Sequence, residues 1–166
     1  RTNFIFQIKI IMKRVFLIMV SMIAVFTAVS CDKYEDGKPS KNIRNEFDRL
    51  YPEAFDIEWE WDGKYWEVSF ETGSRPNGTE HEAWFDGDAN WLKTVTEVFI
   101  TSVPERIIGF LTADPTYGTA PYADNDAEYV QTPSGDFYRF DLRVEGRVVE
   151  VDVNDDGEVK FADYDF

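Results

Sequence analysis

The sequence predicts an α+β domain, in which two tandem helix-strand-strand-strand units form antiparallel sheet with short helices packed on one face. Period-two alternation is the first reason. Tyr138, Phe140, Leu142 and Val144 alternate with Arg139, Asp141, Arg143 and Glu145, and Val149, Val151 and Val153 alternate with Glu150, Asp152 and Asn154. Half-buried strands require that pattern. Turn chemistry is the second reason: Glu145-Gly146 and Asp155-Asp156-Gly157 separate these runs from each other and from a last strand carrying Val159 and Phe161. The third is that the same plan occurs twice along the chain.

Lys41 to Tyr51 sets Ile43, Phe47 and Leu50 on one apolar stripe of a short helix. Pro52 closes it, because the residue before a proline avoids the α region. Ile57, Trp59 and Trp61 alternate with Glu58, Glu60 and Asp62, and Asp62-Gly63 turns the chain. Trp66, Val68 and Phe70 then alternate with Glu67, Ser69 and Glu71. After a loop from Thr72 to Thr79, His81, Ala83 and Phe85 alternate with Glu80, Glu82 and Trp84. Asp86 to Asn90 makes an acidic turn before Trp91 and Leu92. Ser102 and Glu105 have capping-box spacing, with Pro104 suited to a first helical turn. Ile107, Ile108 and Leu111 form the apolar side of that second helix. Thr112 to Asp126 reads as a loop and Ala127 to Gln131 as the next strand.

GKYWEVSF at 63–70 lies over GDFYRFDL at 135–142, and HEAWFDGDANW at 81–91 over VVEVDVNDDGEV at 148–159. The resulting units run from about 40 to 100 and from 101 to 166. One unit alone is too small to bury a good core, so the two are expected to share one.

Met12-Lys13-Arg14, the apolar run from Val15 to Val29 and the small residues before Cys31 make a bacterial lipoprotein signal over 12–30. Cleavage before Cys31 would free its amino group, and its thiol would take a diacylglycerol. The apolar run is 15 residues, short of the roughly 20 a spanning helix needs. Residues 1–11 read as a segment upstream of the native start. Residues 31–40, polar with Gly37 and Pro39, read as a tether.

Cys31 is the one cysteine of the chain, which excludes an internal disulfide. The first 30 residues hold four of the 17 Lys and Arg and none of the 32 Asp and Glu, so the chain from Cys31 onward carries a net charge near −19. Such a surface repels nucleic acid and anionic headgroups. Membrane contact is expected only through the lipid anchor. With one histidine and no spare thiol, a zinc site of the usual ligands and a Ser-His-Asp arrangement are both disfavoured. Among so many acids, carboxylate pairs at hydrolase spacing arise by chance. No cofactor-binding motif is present, and the expectation is a protein that is not an enzyme.

A short helix ending in Tyr51-Pro52, a tryptophan-rich hairpin with Trp59, Trp61 and Trp66, and a third strand closing in Phe85-Asp86 and an acidic turn, all repeated, resemble one family. It is the PepSY-like periplasmic lipoprotein family, also termed beta-lactamase-inhibitor-protein-like for its fold. The resemblance covers about 40–166 and rests on structural motifs. It implies a small envelope protein, binding or inhibitory, without established catalytic residues, so no site residue carries over. The family turn has glycine where this chain has Ala89, whereas the second turn keeps Gly157.

Three candidate sites emerge from the residues. DVNDDG at Asp152 to Gly157 opens like a calcium loop, with Asp152, Asn154 and Asp156 as oxygen ligands. Its flanks read as strands, however, and a β-turn explains the same letters. Asp86, Asp88 and Asn90 have the same spacing without the glycine. His81 has core parity and reads as a packed, hydrogen-bonded residue. Tyr65, Trp84 and Phe137 have the opposite parity from core Trp59, Trp61, Trp66 and Phe70, which puts them on an outer face beside Glu67, Glu82 and Arg139. Aromatics and arginine among charges on an open sheet resemble a binding surface. The functional expectation is a lipid-anchored envelope protein binding a protein or peptide partner, one with a basic surface, through that face. The alternative is a carbohydrate- or cation-binding accessory protein that uses Tyr65, Trp84 and the acidic turns.

Overall fold

The computed structural model describes residues 37–162. Cys31, the signal and most of the tether lie outside the described residues. Helix α1 (Lys41–Leu50) is followed by strands β1 (Phe55–Trp61), β2 (Trp66–Thr72), β3 (Thr79–Phe85) and β4 (Trp91–Phe99). A 3-10 turn (Ile100–Ser102) leads to helix α2 (Glu105–Ala113) and to strands β5 (Tyr122–Gln131), β6 (Phe137–Val144), β7 (Arg147–Asn154) and β8 (Val159–Phe161). All eight strands form one antiparallel sheet in sequence order, each bonded to its chain neighbour.

This corrects the predicted architecture. The chain does not make tandem helix-strand-strand-strand units: it makes a β-rich fold of one uninterrupted eight-stranded meander with two short helices. At the expected unit boundary, β4 and β5 pair over six registered positions, from Thr94↔Gln131 to Phe99↔Asp126. Strand β4 escaped the pattern because its inward residues include Thr94 and Thr96, which are buried yet polar. Their hydroxyls are satisfied inside: Thr94 Oγ1 bonds Tyr51 Oη and accepts from Trp91 Nε1 at 2.8 Å, and Thr96 Oγ1 lies 2.7 Å from His81 Nδ1. Hydrogen bonding removes the penalty that otherwise keeps hydroxyls out of a core. The first half of β5 is strand where the pattern predicts loop, because Tyr122 to Asp126 carries acids and a register break, with Tyr122 facing Leu142 and Ala127 facing Phe140.

Both helices cover the same face of the sheet. Helix α1 begins at Ser40, whose Oγ accepts the Ile43 N–H at 3.3 Å. It buries Ile43 and Phe47 against Trp59, Val68, Phe70, Ala83 and Phe85. The Phe47 ring meets Trp59 and Phe70 edge-on, with centroids 5.3 and 5.1 Å away. Helix α2 starts at Pro104, whose carbonyl accepts from Ile107 and Ile108, and Ser102 lies in the preceding 3-10 turn instead of capping. It buries Ile107 and Leu111 against Phe140, Leu142, Val151 and Val153.

Candidate binding face

Among the described residues no helix packs on the opposite face, and the strand register orders its side chains. Glu67, Trp84 and Lys93 stand side by side on β2, β3 and β4. In the next row Ser69, Glu82, Val95, Val130, Phe137 and Asn154 cross from β2 to β7. Beyond them run Glu97, Glu128, Arg139, Asp152 and Lys160. Each strand supplies these residues because alternation sends every second side chain away from the helices.

Trp84 lies half-buried on this face, as parity predicts. Its Nε1 donates to Glu67 Oε2 at 3.1 Å, and Lys93 Nζ sits 4.3 Å from its ring centre. Arg139 grips Asp152 with two bonds, Nε to Oδ1 at 2.8 Å and Nη2 to Oδ2 at 3.2 Å, and reaches Glu150 at 3.6 Å. Its guanidinium also lies 5.5 Å from the Phe137 ring centre. Arg139 and Phe137 thus belong together. Tyr65 sits apart, half-buried in the β1-β2 turn beside Lys64, and its N–H donates to Asp62 Oδ1. Trp84 and Phe137 share the face but are three strands apart, roughly 14 Å at the usual strand spacing, with Lys93, Val95 and Val130 between them.

Sequence reasoning missed that middle strip. Val130 is only 2% exposed, although it belongs to neither of the core clusters beneath the two described helices. Of the flanking carboxylates, Glu67 and Glu128 are half-buried and Glu82 is exposed. Burial pushes Glu67 up from the usual carboxylate range, against the Trp84 hydrogen bond and aided by Glu60 and Asp62. Glu82 rises through burial and through Glu67, Glu80 and Glu128. Burial raises Glu128 too, in spite of Arg139 nearby. Lys93 is lowered by burial and then by Arg139. Alternation placed Glu67 and Glu82 on this face; Lys93 and Val95 were hidden because β4 was.

The acidic turns are backbone devices. Asn154 Oδ1 accepts the N–H groups of Asp156 and Glu158 at 3.1 and 2.9 Å. Asp152 points instead to Arg139, on the face just described. In the first turn Asp86 Oδ1 accepts from Asp88 and Asn90 at 2.9 and 2.8 Å. Burial raises Asp86, but the Asn90 and Asp88 hydrogen bonds outweigh it and leave its carboxyl below the usual range. Among the described residues no three His, Cys, Asp or Glu side chains are placed to hold a metal ion. His81 Nε2 lies 2.8 Å from Thr72 Oγ1 and its ring stacks on Phe70 at 5.1 Å, inside the fold.

No protein-family model matches the chain, and no curated protein matches it in sequence. Solved structures do match. A BLIP-like protein from Bacteroides fragilis superposes with a TM-score of 0.65 at 25% identity, covering 78% of this chain and 89% of that one. A DUF2874 family protein from Bacteroides ovatus gives 0.61 at 17% identity, over 75% and 89%. A protein from Bacteroides eggerthii assigned to the periplasm gives 0.58 at 20% identity, over 74% and 86%. The shared feature is the fold.

Proposed function

We propose that this chain, BLIP-like in fold as the family resemblance implied, is a non-enzymatic envelope protein. It binds a protein or peptide with a basic surface through the helix-free face, in an inhibitor-like manner. The observation that carries this reading is the set of carboxylates, half-buried Glu67 and Glu128 and exposed Glu82, around the apolar strip Val95, Val130 and Phe137. Dehydrated carboxylates cost free energy that a cationic partner offsets on binding. The carbohydrate alternative is weaker here, because Lys93 already lies over the Trp84 ring on which a sugar would stack.

The periplasmic assignment of one structural neighbour supports the location, as does the signal ending at Cys31. Among the described residues no helix is long and apolar enough to cross a membrane. The test uses the Cys31→Ser chain as bait in envelope extract, beside the same chain carrying Glu82→Lys and Glu128→Lys. A protein retained by the first, released by salt and absent from the second supports the reading. Equal capture by both baits refutes it.

A further inference from the structure

The loop between β2 and β3 carries the one Asn-Gly pair of the chain, Asn77-Gly78. Asn77 is exposed, and Gly78 is the last residue before β3 opens at Thr79. A turn is closed there by the Asn77 N–H, which donates to the Ser74 carbonyl at 3.0 Å. Asparagine is among the thermolabile residues, and its amide is most at risk where glycine follows. We infer that Asn77 is a site of spontaneous modification, at which the side-chain amide is lost through a cyclic imide and replaced by aspartate and isoaspartate.

The reaction needs only base and water. The Gly78 backbone nitrogen gives up its proton and attacks Asn77 Cγ, and the new C–N bond closes the imide ring. The bond from Cγ to Nδ2 breaks, and ammonia leaves with a proton returned from solvent. Water then opens the ring at either carbonyl. Opening at Cγ gives aspartate, whereas opening at the main-chain carbonyl carbon gives isoaspartate, with the main chain rerouted through the side chain. Nothing is oxidised or reduced.

The fold meets each condition for this step. The nucleophile must be uncrowded and its backbone pliable, which glycine provides by lacking a Cβ. Packing makes that glycine compulsory, since a Cβ at 78 would lie 2.3 Å from Glu71 Oε2 and 2.8 Å from Phe55 Cζ. The Gly78 nitrogen must also be free of the sheet. It precedes the end pair of the ladder, Thr72↔Thr79, and donates to no backbone carbonyl in the turn. Finally, the amide must be able to swing onto its own main chain, and the Asn77 side chain makes no hydrogen bond among the described residues.

The other described asparagines each fail one of these conditions. Asn42 and Asn45 lie inside α1, which engages the N–H groups that follow them. Asn90 and Asn154 are tied by their side-chain amides to Asp86 and Glu158. Asn125 lies within β5 and precedes Asp126, which has a side chain. At Asn77 the products have local consequences. Aspartate adds a negative charge to a margin that already holds Asp56 and Glu71. Isoaspartate inserts a carbon into the main chain where Gly78 is pressed against Phe55, and so loosens the start of β1.

The test follows each asparagine of residues 37–162 by peptide mapping and isoaspartate detection. The full chain carrying Cys31→Ser is incubated at mildly alkaline and mildly acidic pH, kept folded as its circular dichroism reports. A synthetic peptide of residues 72–80 measures the same chemistry without the fold. We expect Asn77 to lose its amide before any other described asparagine, faster at alkaline pH, with both aspartate and isoaspartate formed. An Asn77→Gln chain should gain no charge at that position over the same time. Retention of Asn77 in the folded chain while the peptide is modified overturns the inference, because the fold then protects the pair. Earlier loss at another described asparagine overturns it as well. Aspartate formed without isoaspartate would mean direct hydrolysis, and would remove the imide and the inference with it.

Discussion

Ala89 and Gly157 occupy the same place in two turns of identical hydrogen bonding. Asp86 N–H donates to the Asn90 carbonyl at 3.0 Å and Ala89 N–H to the Asp86 carbonyl at 3.1 Å. Asn154 N–H donates to Glu158 at 3.2 Å and Gly157 N–H to Asn154 at 3.1 Å. Both fourth residues are left-handed, with φ of 71° at Ala89 and 84° at Gly157. Asp86 and Asn154 then play the same role with their side-chain oxygens.

A side chain in the left-handed region is strained by roughly 1–2 kcal/mol. Ala89→Gly should therefore stabilise the fold, by about 1 kcal/mol once the freer unfolded chain is counted. Gly157→Ala should destabilise it by more than strain alone, because a Cβ there would meet the Phe110 ring at 3.0 Å. Denaturant midpoints of the two variants should move in opposite directions. Movement in the same direction would break the equivalence of the turns.

His81 gives the fold a pH dependence of known sign. Burial holds its pKa below the usual histidine range, while in the unfolded chain it titrates near 6.5. The unfolded chain thus takes the proton first. The stability contributed by neutral His81 is complete above about pH 6.5 and is lost as pH falls through that value toward the folded pKa. Protonation also makes both ring nitrogens donors, so neither Thr72 nor Thr96 could any longer donate to the ring. Glu67, Glu82 and Glu128 act with the opposite sign, because their folded values are raised. The measurement is therefore a comparison: between about pH 7.5 and 5.5, wild type should lose stability relative to His81→Gln. Parallel curves would remove His81 from the account.

Two tryptophans separate core from face. Trp59 is 4% exposed, packed beneath Phe47 and Phe85, and Trp59→Ala should cost about 3–5 kcal/mol. Trp84→Ala gives up one hydrogen bond to Glu67 and the Lys93 contact on a half-buried face, and should cost about 1–2 kcal/mol. Thermal unfolding of the two variants ranks them directly. A Trp84 variant as damaged as the Trp59 variant would mean that the outer face is structural and not a surface kept for a partner.

Lipidation at Cys31 follows from the small residues before it and the short apolar run. Metabolic labelling with a lipid precursor should mark the wild-type protein and leave Cys31→Ser unmarked. Labelling of both would remove the anchor and the location together.

What the sequence disclosed depended on whether local alternation coincided with apolarity. Strands β1, β2, β3, β6, β7 and β8, the second half of β5 and both helices were visible, since most inward positions are Trp59, Val68, Phe70, Ala83, Phe140, Val151 and residues like them. Strand β4 was invisible because Thr94 and Thr96 are made tolerable in a core by partners distant in sequence, Tyr51 and His81. That omission produced the error of class: without β4, nothing joins the first three strands to those after the second helix, and the chain reads as two separate units. It also hid Lys93, Val95 and Glu97 of the face. Parity found Trp84 and paired Arg139 with Phe137, but the neighbours of Val130 on this face, Val95 and Phe137, lie on the strands to either side, which no short window contains.

A meander in sequence order leaves two strands at its margins, β1 and β8, whose outward N–H and C=O groups could template pairing with a second copy. The chain blunts both margins. β1 has a register break between Phe55 and Glu58, with Asp56 at φ 50°, and its exposed residues are Asp56, Glu58 and Glu60. β8 is three residues long and carries Lys160 at its centre. Irregularity with like charge at one margin, and brevity at the other, disfavour edge-to-edge aggregation while the broad face stays open.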